Sequence, residues 1–152
     1  MTEAELAEVL GVACECIDDE HGVFELDTGL SFSDDDPIPA FVQRAGDRLC
    51  FFDDQEVMTH FMSRFIEIEE AAYPALIAAI VGSHGVTVGE PDELEMWTTL
   101  DDAAEGFKRY RMAMQELAQW EDAQLPAWSR DLVFTGEAPP DANALTPPRS
   151  PY

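Results

Sequence analysis

The sequence predicts an α+β fold: a small, mainly antiparallel sheet packed with three or four helices, then a disordered Pro-rich C-terminal tail. Three observations predict it. Short runs at 14–18, 23–27, 38–44 and 48–52 alternate apolar and polar residues or cluster β-formers between turn residues, as half-buried strands do. Longer segments around 2–13, 54–82 and 101–122 carry apolar residues at helical spacing. Five of the last 14 residues are proline, which leaves room only for an extended or disordered segment. The boundaries that follow are a single α+β domain over 1–125 and a tail over 126–152.

Taken in order, Thr2 can cap a helix over 2–13 with Glu5 three residues later, and Leu6, Val9 and Leu10 share one face. Residues 14–18 begin a strand with Cys14 and Cys16 pointing the same way. Asp18-Asp19-Glu20-His21-Gly22 turns the chain into 23–27, where Glu25 and Asp27 interrupt Val23, Phe24 and Leu26. The acidic turn Asp34-Asp35-Asp36-Pro37 precedes a hairpin of Ile38 to Arg44 and Arg48 to Phe52 around Ala45-Gly46-Asp47. Asp53 or Asp54 then caps a helix to about Ile66, with Val57, Met58, Phe61, Met62 and Phe65 at helical spacing. Helix continues over 67–82. Pro74 suits a first turn, Leu76, Ile77, Ile80 and Val81 form the buried face, and Gly82 is the stop. Gly85 to Val88 and Leu94 to Thr98 read as short strands around Gly89-Glu90-Pro91-Asp92. The last helix runs from a cap at Asp101 or Asp102 to about Asp122 and buries Phe107, Tyr110, Met114, Leu117 and Trp120.

Hydrophobic residues make up 46% of the 152, so the high charge does not mean disorder. The charge is lopsided: 32 acids against 8 Lys plus Arg give −24, and the first 43 residues hold twelve acids and no Lys or Arg. Such a field repels nucleic acid and anionic membranes and attracts basic surfaces. Neither direct nucleic-acid binding nor membrane binding is expected. No apolar run is long enough to span a bilayer, and Met-Thr-Glu-Ala-Glu lacks the cationic start of a signal peptide. Three cysteines cannot all pair, and they are expected to be reduced in a cytoplasmic protein.

The order of elements resembles a domain family of no assigned activity found in bacteria and their prophages. The matching residues are Phe32-Ser33-Asp34, Ile38 to Val42, Leu49 to Asp54, Gly85-Val86-Thr87-Val88, and the helix from Phe107 to Trp120. The resemblance covers about residues 1–122. It departs from the family at Gln55, where a Gly is expected after the Asp pair. It implies the order of the fold and a phage or mobile-element origin, and no activity. In composition the chain is similar to the acidic phage proteins that occupy nucleic-acid sites of host defence enzymes.

The candidate partner-binding residues are Asp18, Asp19, Glu20, Glu25, Asp27, Asp34, Asp35, Asp36, Asp53 and Asp54. Duplex DNA carries a phosphate about every 3.4 Å along each strand. Carboxylates two apart on a strand lie about 6.6 Å apart, and those three or four apart on a helix about 5–6 Å. A row of them could pair with the Lys and Arg of a DNA-binding groove; each pair could equally be a solvated face. Asp34-Asp35-Asp36 could hold a hard cation, but lacks the spaced ligands and distal Glu of a calcium loop. His21, His60 and His84 lie far apart, Cys14-x-Cys16 is too close for the usual zinc pair, and no nucleophile elbow or phosphate loop occurs. No metal, cofactor or catalytic residue is expected. Lys108-Arg109-Arg111 either neutralises acids within the fold or marks a contact in a homodimer. The function expected is a non-enzymatic phage or prophage inhibitor, anti-CRISPR or anti-restriction, that binds a basic nucleic-acid-binding surface of host defence as a DNA mimic. The alternative is a haloadapted or antitoxin/immunity-like interaction domain without mimicry.

Overall fold

The computed structural model describes residues 1–64, 72–90 and 92–124. Its elements run α1 (Glu3–Leu10), β1 (Cys14–Asp18), β2 (Val23–Leu26), β3 (Phe41–Ala45), β4 (Arg48–Phe52), α2 (Glu56–Ser63), α3 (Ala72–Gly82), β5 (Thr87–Val88), β6 (Leu94–Thr99) and α4 (Ala103–Gln124). This is the α+β architecture the sequence predicts, with six strands and four helices among the described residues. The two-residue β5 lies within the strand expected at Gly85 to Val88 and pairs at the sheet edge.

Every strand pair is antiparallel, in the order β1-β2-β3-β4-β6-β5. Strand register assigns each side chain to a face. Phe24, Leu26, Val42, Leu49, Phe51, Leu94 and Met96 turn to one face and are buried there. Against them pack Leu6 and Leu10 of α1, Val57, Met58 and Phe61 of α2, Ile77 and Val81 of α3, and Phe107, Tyr110, Met114 and Leu117 of α4, in one continuous core. Each large side chain fully removed from water contributes about 1.5–3 kcal/mol. The other face carries a row across the sheet, Glu15, Glu25, Phe41, Phe52 and Glu95, each opposite the next. Ile17 and Trp97 stand exposed on the sheet.

Local chemistry sets the element ends. The Thr2 hydroxyl accepts from the Glu5 amide and the Glu5 carboxylate from the Thr2 amide, the reciprocal box expected. Gly11, at φ 73°, closes α1 in the left-handed region and returns its N–H to Ala7. In α4, Gly106 lets the helix approach β6: a Cβ there would stand 3.1 Å from Thr98.

Three apolar expectations fail. Val9, Met62 and Leu76 are exposed, because these helices lie on the sheet's margin or on another helix and bury a narrow stripe. Helix α3 packs mainly on α4 and, among its described side chains, buries Ile77 and Val81 fully, with Ile80 half-buried beside them. The expectations for Phe65, Ile66, the helix start over 67–71, Pro91 and the 126–152 tail lie outside the described residues. Among those described, no helix is long and apolar enough to cross a membrane.

An acidic groove closed by a buried charged network

Residues 27–40, between β2 and β3, form a hydrogen-bonded excursion rather than an open loop. Thr28 Oγ1 donates to the Ile38 carbonyl, Ile38 N–H to Leu30, and Phe32 N–H to Asp36, with a bridge between Ser31 and Pro37. These bonds drive Phe32 and Ile38 into the core, each 3% exposed. They also set Asp34, Asp35 and Asp36 at the tip of the excursion, over α2.

There the acids meet His60 of α2 and Arg64, the residue that follows the helix. The Phe32 ring stacks on the His60 imidazole at 3.7 Å. His60 Nδ1 lies 2.9 Å from Asp36 Oδ2, and its Nε2 lies 2.7 Å from Oε2 of Glu121, the latter out of line for a well-formed hydrogen bond. Arg64 donates to Glu121 Oε1 at 3.2 Å and to Ser33 Oγ at 3.3 Å, and approaches Asp34 Oδ1 at 3.5 Å. Glu121 is fully buried. Burial by itself would lower the His60 pKa; the Glu121 carboxylate, with Asp34 and Asp36, outweighs it and holds the pKa above its ordinary value. The network ties the excursion, α2 and the end of α4 together.

Outside that network lies a groove of about 730 Å³ between the β1–β2 ends, the excursion and α2. Leu26, Leu30, Phe32 and Ile38 supply its apolar floor, and Thr59, His60 and Ser63 one wall. Its charged lining is Glu15, Glu25, Asp27, Asp36 and Glu56 besides His60; no described lining residue is Lys or Arg. Glu15 and Glu25 face one another across β1 and β2, an arrangement of like charges that costs stability. Among the described residues neither has an ion pair, and Glu56 has none either. Burial, then Asp54, Glu25 and Asp36, raise the Glu56 carboxyl pKa.

The ten candidate residues therefore do not make one face. Glu25, Asp27 and Asp36 come together in the groove. Asp18, Asp19 and Glu20 sit at the far end of the β1–β2 hairpin, where Asp18 holds His21 at 2.8 Å and is lowered in pKa chiefly by that bond. Asp34 is drawn inward by Arg64, while Asp35 stays exposed at φ 66°. Asp53 has to be removed from any contact surface. It is fully buried, and its carboxylate accepts the amides of Gln55, Val57 and Leu94 at 3.1, 3.0 and 2.9 Å, joining the start of α2 to the start of β6. Asp54 beside it is exposed.

Sequence reasoning missed Glu15, Glu56, His60, Arg64 and Glu121. One signal was legible: Glu121 extends the buried series Tyr110, Met114, Leu117, and a carboxylate on an apolar stripe demands a buried cation. Arg64, directly after α2, meets that demand, with His60 one turn before it. Asp34, Asp36 and His60 place ligand atoms within 4.8 Å of one another, a set that could hold a cation, but Arg64 already supplies positive charge beside Asp34. Comparison with protein-family models, with curated proteins and with solved structures gives no match.

Proposed function

We propose that the protein is a non-enzymatic binding domain whose acidic end occupies a basic nucleic-acid-binding surface of another protein and keeps nucleic acid from it. The specific form we favour is a phage or prophage inhibitor of a host defence nucleoprotein, of the anti-CRISPR or anti-restriction kind. One observation carries it: Glu15, Glu25, Asp27, Asp36 and Glu56 converge on one groove with no described Lys or Arg to neutralise them. Carboxylates opposed in this way destabilise the free protein and are relieved by a cationic partner. The −24 net charge adds long-range attraction for the same partner.

The test is capture of the partner from the native host followed by competition. Duplex DNA, and about 1 M salt, where the screening length falls to about 3 Å, should each release it. Retention of the partner through both treatments would rule the decoy function out.

An immunity- or antitoxin-like module is the second reading, favoured by the sheet's outer face. There Phe41 and Phe52 lie 5.6 Å apart, near exposed Trp97. A partner held through that face would resist salt and be lost on Trp97→Ala.

A further inference from the structure

We propose that the groove seats a lysine- or arginine-bearing segment of the partner protein, its methylene stems on the apolar floor and its charged heads against the rim carboxylates. The inference deepens the reading of the acidic end as the contact surface and rests on it. Three features of the groove select that occupant.

The first is the pairing of floor and rim. Leu26, Phe32 and Ile38 are buried beneath it, and Glu25, Asp36 and Glu56 stand around it. A side chain with an apolar stem and a cationic head matches both at once. An apolar segment would leave the carboxylates desolvated without counter-charge, and an acidic one would be repelled. The second is size. A volume of about 730 Å³ falls among clefts that enclose a ligand rather than a single ion. The third is rigidity. Phe32 stacks on His60, and His60 and Arg64 are both anchored on fully buried Glu121, so the floor and one wall are fixed before binding. His60 brings no net repulsion, since Asp36 and Glu121 flank its ring.

The test uses the full chain and a short fluorescein-labelled peptide with lysine at alternate positions, followed by anisotropy. Binding should saturate at one peptide per chain. The pair Glu25→Lys with Glu56→Lys should weaken it about tenfold or more. Thr59→Lys, on an exposed wall position of α2, places the protein's own amine in the groove and should also weaken it. The pair Asp19→Lys with Glu20→Lys changes net charge as much as the groove pair but lies at the hairpin's far end, and should leave affinity within about twofold. Equal weakening by the two pairs would mean attraction to the whole charged globule and would overturn the proposal. So would spermidine displacing the peptide at lower concentration than unlabelled peptide, since the occupant would then be a free polyamine. Circular dichroism of each variant identifies any that fail to fold, and Thr59→Lys serves if the groove pair does. The two proposals separate cleanly: peptide binding without DNA-driven release of the captured partner removes the decoy function and leaves the groove, and the converse removes the groove alone.

Discussion

Glu121 is the residue on which the network turns. Fully buried, it faces both Arg64 and His60. Removing one partner of a buried ion pair leaves uncompensated charge and costs about 3–5 kcal/mol. Glu121→Gln should lower stability by that order, measured by urea denaturation, whereas Glu116→Gln on the exposed side of α4 should change it little. Asp53 makes a different prediction. Burial pushes its carboxyl up to about 6 against the pull of three amides. An unfolded chain ionises Asp near 3.9. The raised folded value means this site's stabilising contribution is whole below about pH 4 and is lost as pH rises through about 6, by ~3 kcal/mol. The urea midpoint should therefore fall across that window, and Asp53→Asn should flatten the fall. Tyr110 offers a third. Its hydroxyl is buried with no hydrogen-bond partner among the described residues, and burial raises its pKa. Tyr110→Phe should be neutral or stabilising by up to about 1 kcal/mol, because a desolvated hydroxyl is removed; a loss above that would show the hydroxyl is bonded.

Between elements, the closest approach is α4 on β6. Gly106 stands where a Cβ would meet Thr98 at 3.1 Å, so Gly106→Val must push helix from strand. Overpacking of that kind costs about 1–3 kcal/mol, to be read from chemical denaturation. This position was not legible in the chain, because a glycine inside a helical pattern does not say what lies opposite. Helix α1 was legible, since its cap is a local exchange between Thr2 and Glu5 and its stop is Gly11. Val9 and Leu76 were misplaced for the opposite reason: helical spacing fixes which residues share a face, not how wide a stripe the neighbours cover. Strand register was partly legible, because the alternation in 23–26 names the two faces, while the β4–β6 pairing joins residues 43 to 51 positions apart in the chain, Phe52 with Glu95 to Arg48 with Thr99.

For the molecule as a whole, a net charge of −24 on 152 residues is self-repelling. The screening length falls from about 30 Å at 0.01 M salt to about 10 Å at 0.1 M, so the melting temperature should rise over that range and then level off. A rise that continues into molar salt would favour the haloadapted alternative over the decoy. By itself the sequence determined what depends on short range and on sums: the α+β class, the capped first helix, most of the core and the sign of the molecule's own field. Periodicity, turn chemistry and net charge are properties of neighbours and totals, and they survive any arrangement of the elements. Only the tertiary structure decided which carboxylates act together. It turned Asp34 toward Arg64, buried Asp53 under three amides, and gathered Glu15, Glu25, Asp27, Asp36 and Glu56 from three segments into one groove. A charge is given its role by the dielectric and the counter-charges within a few ångströms, and those are assembled from distant parts of the chain.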